Sequence, residues 1–198
     1  MIRRNHMGRE LEKKYRATED ILSAIEKAYG PFTPIAMETT YYDTMDLKLT
    51  MHHWTLRRRM ENDISVCTFK TPLADGSRGE WEVECSNIND GVLKLYEAGA
   101  PAELVRCTAG GLIPTCGAKF KRLACTVTLE SCTLEIALDR GVLTGRNREL
   151  PFAEVEVEYK AGDEKAALAF AKALAESYHL ESEPKSKFVR AMTLAMGG

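Results

Sequence analysis

Alternation of charged and apolar residues with a period of two constrains this 198-residue chain more than any other feature. Successive side chains of a strand point to opposite faces, so the alternation predicts a sheet with one charged and one apolar face. Helices do not alternate regularly with the strands, which favours a closed barrel or a sandwich over an α/β fold. The pattern recurs in eight segments: residues 8–16, 35–44, 54–61, 64–71, 78–86, 117–129, 131–143 and 150–160.

Helical composition is found between and after these strands. The predicted helices cover residues 18–29, 90–109 with a break at 99–101, 163–179 and 186–196. The third of them begins with acidic residues and is rich in Ala, Leu and Lys, as is typical of a helix. Asn62-Asp63 and Asp75-Gly76 are predicted to form tight turns. We interpret residues 1–7 as an N-terminal extension or a leftover of expression, and residues 8–198 as a single domain.

Composition excludes several classes of protein. A net charge of −2 gives no overall basic field for nucleic acid, so cations for an anionic ligand must be gathered locally. No run of about 18 apolar residues predicts a membrane span, and no signal-peptide core is present. The six cysteines form no CxxC pair and lie mostly in strand-like segments. We therefore expect free thiols and a cytoplasmic protein.

The charged faces of the predicted strands are almost purely ionic. Solvated sheet faces also alternate by default, but Thr, Ser and Gln usually dilute their charges. Here like charges stand two residues apart along a strand, at about 7 Å. Such crowding persists where an ion of opposite sign neutralises it. If the sheet closes, these charges line a lumen with room for one small ligand, and carboxylates beside Arg and Lys predict a polyanion with divalent cations.

A series of short motifs follows the strands from Glu10 to Arg190. Each motif is weak alone, but the series in this order resembles the CYTH, or triphosphate tunnel, family. Ala191 departs from that family's pattern, because members often carry glycine after the last arginine. Asp43 lies in one of the motifs, although it also suits a turn in which it binds nearby backbone amides. The motifs are Glu10-Leu11-Glu12-Lys13-Lys14, Tyr42-Asp43-Thr44, Leu56-Arg57-Arg58-Arg59, Thr68-Phe69-Lys70, Arg78-Gly79-Glu80-Trp81-Glu82, Arg122, Asp139-Arg140-Gly141, Glu154-Val155-Glu156, and Lys187 with Arg190.

The resemblance implies a closed eight-stranded antiparallel tunnel barrel with a charged lumen and helices packed outside. It implies a triphosphatase that uses Mg²⁺ or Mn²⁺ and cleaves inorganic tripolyphosphate to pyrophosphate and phosphate. The metal ligands that it implies are Glu10, Glu12, Asp139, Glu154 and Glu156. The implied substrate ligands are Lys14, Arg57, Arg59, Lys70, Arg78, Arg122 and Lys187, with catalytic roles for Lys14 and Glu82 and further candidates in Glu80 and Arg190.

Three other functions remain open at this point. A class IV-type adenylate cyclase needs a nucleoside pocket at one mouth of the lumen. A thiamine triphosphatase needs an aromatic platform, for which Trp54 and Trp81 are candidates, although Trp81 is out of phase with the charged face. A polyphosphate-binding module needs no catalysis at all. In each case the expected partner is a small triphosphate, without nucleic acid or membrane, and the protein is expected to be a monomer or a homodimer.

Overall fold

The computed structural model describes residues 8–9, 11–73 and 78–198, with side chains from residue 11 onward. This part of the chain forms one mainly antiparallel β-sheet with six helices. None of those helices has the length and apolar character needed to cross a membrane. The strands are β1 Gly8–Arg9, β2 Glu12–Arg16, β3 Thr33–Asp43, β4 Thr55–Glu61, β5 Ile64–Pro72, β6 Arg78–Glu84, β7 Ile113–Thr128, β8 Cys132–Gly145, β9 Arg148–Gly162 and β10 Glu181–Ser182. The helices are α1 Glu19–Tyr29, α2 Lys48–Met51, α3 Ile88–Glu97, α4 Ala102–Thr108, α5 Glu164–Ser177 and α6 Lys187–Met196.

The strands are ordered β1-β6-β5-β4-β3-β7-β8-β9-β2-β10, and each described pairing is antiparallel. The predicted turn at Asn62-Asp63 is confirmed, because Glu61 pairs with Ile64 and Asn62 has a φ of 51°. The turn predicted at Asp75-Gly76 lies outside the described residues.

The prediction of a closed sheet with eight strands is wrong. Ten strands are described, and no described pairing joins β1 to β10 or to β2. The reason lies in the first predicted strand, which is divided: Gly8–Arg9 pairs with β6, whereas Glu12–Arg16 pairs with β9. Arg9 and Glu12 are three residues apart in the chain, which limits their separation to about 11 Å. The sheet is therefore curved strongly enough to bring its two ends close together without pairing.

One face of the curved sheet carries the charges, and we call it the inner face. Cross-strand partners lie on the same face, so the pairing register identifies its members. Tyr41 pairs with Arg57 and Arg57 with Thr68, while Arg122 pairs with Asp139 and Asp139 with Glu154. These pairs show that Arg57 lies on one face with Tyr41 and Thr68, and Arg122 on one face with Asp139 and Glu154, as expected for a sheet with one charged face.

The opposite, outer face is apolar and covered by helices. Helices α1 and α5 pack on β7, β8 and β9 around Leu134, Ile136 and Leu138. Helices α3 and α4 pack on β4, β5 and β6 around Phe69 and Trp81. These two clusters contain most of the buried apolar surface, whose removal from water stabilises the fold.

Helix α6 contradicts the prediction that the helices pack outside, because it packs on the inner face. Its Ala191, Met192 and Ala195 contact Tyr41, Phe120 and other inner-face residues of β3, β7 and β8. Small residues on the strands allow this approach. A Cβ at Gly145 would lie 2.6 Å from the amide nitrogen of Ala195 and 2.8 Å from the carbonyl oxygen of Ala191.

We expect Gly145→Ala to destabilise the protein by about 1–3 kcal/mol, because the added methyl group has to displace the backbone of α6. Gly110→Ala is the matched control, since nothing lies within 4 Å of a Cβ at that position. Urea denaturation of the two variants measures the difference. Equal stabilities would show that α6 does not approach β8 this closely in solution.

The Tyr42-Asp43-Thr44 motif lies at the end of β3, and Asp43 binds nearby backbone amides, as its alternative interpretation proposed. The carboxylate of Asp43 accepts hydrogen bonds from the amides of Thr44, Leu49 and Thr50 at 2.7–3.0 Å. It thereby holds α2, a four-residue helix that the sequence analysis did not predict. Asp43 serves the fold here, and it is not part of the charged inner-face site.

Candidate active site

Three buried carboxylates come together on the inner face at β8 and β9. Asp139 pairs with Glu154 across the two strands, and Glu156 follows two residues later on the same side of β9. One oxygen from each residue lies within 4.8 Å of the others. Asp139 and Glu154 are 0% exposed and Glu156 is 8% exposed, so water does little to screen their mutual repulsion.

Three cations neutralise these carboxylates. The Nζ atom of Lys187 lies 2.9 Å from Asp139, 2.8 Å from Glu154 and 2.6 Å from Glu156. Arg122 binds Asp139 through two hydrogen bonds of 2.8 and 2.7 Å and also donates to Glu156 at 2.5 Å. Arg190 donates to Glu154. The six side chains therefore form a cluster with a formal net charge of zero, which we call the carboxylate cluster.

The protonation states in the carboxylate cluster follow from this arrangement. Burial raises the pKa of Glu156, but the charges of Lys187 and Arg122 outweigh burial and hold that pKa well below its ordinary value. Burial lowers the pKa of Lys187, but Glu156, Asp139 and Glu154 raise it further than burial lowers it. The pKa of Arg122 is likewise raised by Glu156 and Asp139 against the effect of burial. All three groups are charged at neutral pH.

The local structure of α6 places its two cations. Ser186 caps the helix by accepting a hydrogen bond from the amide of Val189 at 3.1 Å. Lys187 and Arg190 are three residues apart, so they lie on one side of the helix. The Nζ atom of Lys187 lies 5.3 Å from the ring centres of both Phe120 and Phe152, which adds cation–π attraction.

The carboxylate cluster suits a hard divalent cation. Its three acidic side chains supply the oxygen ligands that Mg²⁺ and Mn²⁺ prefer. The Oε2 atom of Glu154 is buried and accepts no hydrogen bond in good geometry, even though Lys187 lies 2.8 Å from it. A buried acceptor without a hydrogen bond is costly, and a metal ion would satisfy it. The residues present therefore fit a divalent metal.

A second, cationic group of residues lies on β4 and β5 of the same face. Arg57 and Arg59 alternate with outer-face residues on β4, and Lys70 pairs with Thr55 at the start of that strand. The Nε atom of the buried Arg59 makes no hydrogen bond and lies 3.6 Å from a carboxylate oxygen of Glu61. Unsatisfied guanidinium nitrogens on a face of this kind are suited to bind an oxyanion.

Carboxylates on β6 lie beside these cations. Lys70 pairs with Glu80 at 3.3 Å, and Glu82 accepts a hydrogen bond from the hydroxyl of Thr68 at 3.2 Å. The buried phenol of Tyr41 lies between this region and α6. Burial raises the pKa of Tyr41, while the positive charges of Arg57, Lys187 and Lys70 act on it in the opposite direction. The cations of β4 and β5 and the carboxylate cluster therefore face one interior.

The remaining predicted residues lie on β2 and β6 or outside the described residues. Lys14 pairs with Glu156 across β2 and β9, and Glu12 pairs with Glu158, so both lie on the inner face. Arg78 is exposed and donates to the carbonyl of His53 at 3.4 Å. Glu10 lies outside the described residues.

Sequence reasoning missed Glu183, a buried carboxylate between β10 and α6. It accepts a hydrogen bond from Arg16 at 2.8 Å and lies 3.8 Å from Arg190. Glu183 thereby helps to hold the arginine that reaches Glu154. Glu183 does not belong to a segment of alternating charged and apolar residues. The one sequence feature that could have pointed to it is its position four residues before Lys187.

The fold is a mainly antiparallel β-sheet whose inner face carries buried acids that could hold a metal ion and a separate group of cations. The CYTH domain profile matches residues 8–192, so the chain belongs to the CYTH family. Members of this family act as triphosphatases or cyclases and depend on a metal.

Solved structures with the same fold agree with this membership. A candidate adenylyl cyclase from Hippeastrum, described as having a dominant triphosphatase activity, aligns with a TM-score of 0.63 at 17% identity over 93% of this chain and 95% of its own. A protein from Pyrococcus horikoshii aligns with a TM-score of 0.60 at 18% identity, over 94% and 99%. A candidate adenylate cyclase from Bacillus halodurans aligns with a TM-score of 0.59 at 18% identity, over 89% and 93%. At these identities the likeness concerns the fold alone.

Proposed function

We propose that this protein hydrolyses inorganic tripolyphosphate to pyrophosphate and phosphate with the help of Mg²⁺ or Mn²⁺. The observation that carries the proposal is the carboxylate cluster, with Asp139, Glu154 and Glu156, on the same inner face as Arg57, Arg59 and Lys70. A site for polyanions alone gains nothing from buried acids. A site for a polyanion with its metal needs both kinds of residue.

The cations of β4 and β5 have the task of binding and orienting the substrate. Arg57 and Arg59 lie two residues apart on one face, so their forks can hold oxygens of neighbouring phosphoryl groups. Lys70 extends this row on β5. Lys14 lies opposite Glu156, next to the carboxylate cluster, where its ammonium can stabilise charge on the transferred group. The tripolyphosphate then lies with one end towards Arg59 and the other towards Asp139.

Asp139, Glu154 and Glu156 would hold the metal, with Glu12 as a further ligand. The metal would supply neutralisation of phosphoryl oxygens and a lower pKa for the attacking water. The water oxygen forms a bond to a terminal phosphorus while the anhydride P–O bond breaks, and pyrophosphate leaves. Glu82, held by Thr68, is the carboxylate that we assign to orienting the water and taking its proton.

The inner face gives little support to a thiamine triphosphatase or to a carrier for small apolar ligands. Trp54 and Trp81 pack with Phe69 in the outer-face core, so neither offers a platform for the rings of thiamine triphosphate on the inner face. A carrier for apolar ligands needs an apolar interior, whereas this interior carries the carboxylate cluster and the cations of β4 and β5.

A phosphate-release panel tests the proposed substrate. Tripolyphosphate, thiamine triphosphate, ATP and pyrophosphate are each supplied with Mg²⁺ or Mn²⁺, and cyclic AMP is measured in parallel. We expect the highest kcat/KM with tripolyphosphate and no cyclic AMP. Formation of cyclic AMP from ATP at a higher kcat/KM would identify a cyclase instead.

We expect Arg59→Lys to distinguish an enzyme from a polyphosphate-binding module. Lysine keeps the charge but loses the planar fork, so binding of tripolyphosphate should weaken modestly. Turnover should fall about a hundredfold, or roughly 2.7 kcal/mol, if the fork acts mainly on the transition state. Titration calorimetry and phosphate release measure the two quantities on the same variant.

Arg58→Lys is the control for that comparison, because Arg58 is the neighbouring residue on the outer face and contacts Ser65. It should leave both quantities unchanged. Equal losses of binding and turnover in Arg59→Lys would argue against a transition-state role for Arg59.

A further inference from the structure

Two cysteines on the outer face, Cys67 of β5 and Cys85 just after β6, share one small space. Both are buried, and neither belongs to the inner-face site. Gly91 of α3 covers them: a Cβ at Gly91 would lie 2.6 Å from the sulfur of Cys67 and 3.4 Å from that of Cys85. Only glycine allows α3 to cover the two thiols this closely. The amide of Cys85 donates to the carbonyl of Ser65 at 2.9 Å, which keeps the segment after β6 beside β5.

A chain of polar groups leads to the sulfur of Cys85. The Nε atom of Arg58 donates to the hydroxyl of Ser65 at 2.8 Å, and that hydroxyl lies 3.6 Å from the sulfur of Cys85. The thiol of Cys67 lies beside that of Cys85 under Gly91. A guanidinium charge with a neighbouring hydroxyl and thiol is the environment in which a cysteine thiolate is stabilised. Asp90 of α3 acts in the opposite direction, because its negative charge disfavours the thiolate and raises the pKa of Cys85.

The two thiols consequently differ in acidity. The neighbouring Cys67 thiol, together with Ser65 and Arg58, lowers the pKa of Cys85 to about 6 against the effect of burial. The neighbouring Cys85 and burial raise the pKa of Cys67 far above its usual range. Elsewhere burial raises the pKa of Cys116 to about 11. Among the thiols whose pKa is shifted, that of Cys85 is lowered and those of Cys67 and Cys116 are raised. The pair therefore combines one acidic thiol with one weakly acidic thiol.

The space beside Cys85 opens to the outside. Cys85 is 7% exposed and lines an open pocket of about 380 Å³, whereas Cys67 is fully buried. The other side chains of this pocket include charges of both signs, which suits small polar reagents. The lining residues are Asp63, Ile64, Ser65, Glu84, Cys85 and Lys94.

We propose that Cys85 and Cys67 form a redox-active dithiol that a hydroperoxide converts into an intramolecular disulfide. The Cys85 thiolate attacks the O–O bond of hydrogen peroxide, forming an S–O bond and releasing hydroxide, which a solvent proton converts to water. Cys67 then attacks the sulfur of the Cys85 sulfenic acid. An S–S bond forms, the S–O bond breaks, and the leaving hydroxide takes the Cys67 proton as a second water. The peroxide is reduced by two electrons and the dithiol is oxidised by two.

The disulfide joins β5 to the segment that follows β6. Cys85 lies just beyond the last residue of β6, so a shift of its backbone towards Cys67 stretches the hydrogen bond from its amide to Ser65 but leaves the β5–β6 pairs in place. The proposal is independent of the proposed triphosphatase activity, because no residue of the pair contacts the carboxylate cluster.

Limited oxidation of the reduced protein tests the proposal. The full chain is treated with equimolar hydrogen peroxide near neutral pH, free thiols are alkylated, and the peptides are mapped by mass spectrometry. We expect the Cys67–Cys85 disulfide as the main oxidised species, with the partly exposed Cys107 still free. Cys67→Ser should trap the Cys85 sulfenic acid as a dimedone adduct. Arg58→Gln should slow Cys85 oxidation at least about fivefold, since the thiolate loses its cation.

Two results would overturn the proposal. The first is that Cys85 is oxidised no faster than Cys107 in the wild-type protein. This comparison does not depend on the folding of any variant. The other is a disulfide that joins any other pair of cysteines first.

Discussion

Glu156→Gln is expected to reduce metal-dependent turnover of tripolyphosphate by at least about a hundredfold. Glutamine keeps the shape of the side chain but supplies neither the charge nor the oxygen pair of a metal ligand. It also leaves Lys187 and Arg122, which lie 2.6 and 2.5 Å from Glu156, with less opposite charge. A buried cluster that loses one partner is destabilised by about 3 kcal/mol.

The pH dependence of stability checks this explanation. The folded-state pKa of Glu156 is depressed, so its contribution is fully present above its unfolded pKa of about 4.3 and is lost as the pH falls towards the folded value. The difference in unfolding free energy between wild type and Glu156→Gln should therefore be large at neutral pH and shrink on acidification. Glu149→Gln, an exposed change on the same strand, should show neither effect. A pH-independent difference would show that Glu156 is not held as an anion by Lys187 and Arg122.

Lys187→Met is expected to tighten the binding of Mn²⁺ in the absence of triphosphate by at least about tenfold, or roughly 1.4 kcal/mol. The Nζ atom of Lys187 lies within 2.6–2.9 Å of all three carboxylates, in the place that a cation would take. With Arg122 and Arg190 it neutralises the cluster, so a metal ion that binds to the wild type adds positive charge to a site that already holds three cations. Removal of Lys187 removes this competition. Turnover should nevertheless fall about a hundredfold, because the substrate loses a cation.

Titration of Mn²⁺ by electron paramagnetic resonance measures this affinity without reference to activity. Mn²⁺ should also raise the Tm of Lys187→Met more than that of the wild type, because at a given concentration a ligand that binds more tightly stabilises the folded state more. Lys185→Met, an exposed change two residues earlier, is the matched control and should bind Mn²⁺ as the wild type does. Unchanged or weaker Mn²⁺ binding in Lys187→Met would mean that the ammonium does not compete with a metal.

The sequence predicted the strands well because period two is a local property. β4, β8 and β9 carry their charges on one face, as the alternation predicts, whereas the pairing of Asp139 with Glu154 depends on a strand register that the alternation does not specify. The division of the first strand could not be predicted, since residues 8–16 form one uninterrupted alternation. Whether a residue there pairs with β6 or β9 depends on the curvature of the whole sheet.

The location of α6 was also beyond local reasoning. Its apolar residues Ala191, Met192 and Ala195 would suit packing on either face of the sheet. What decides between the faces is space, which Gly145 supplies on β8, where a Cβ would meet the backbone of α6. The motif around Lys187 predicted a phosphate ligand, but the contact with three carboxylates depends on a helix 31 residues beyond Glu156 returning to β8 and β9. Contacts between residues so far apart in the chain are determined by the tertiary structure.

Phosphorus NMR of tripolyphosphate incubated with the wild-type protein tests the central claim most directly. With Mg²⁺ or Mn²⁺ present, the account predicts loss of the tripolyphosphate signals and equal amounts of orthophosphate and pyrophosphate. With a chelator present, it predicts no change. Intact tripolyphosphate under every metal condition, despite measurable binding, would contradict the account and identify the protein as a polyphosphate-binding module.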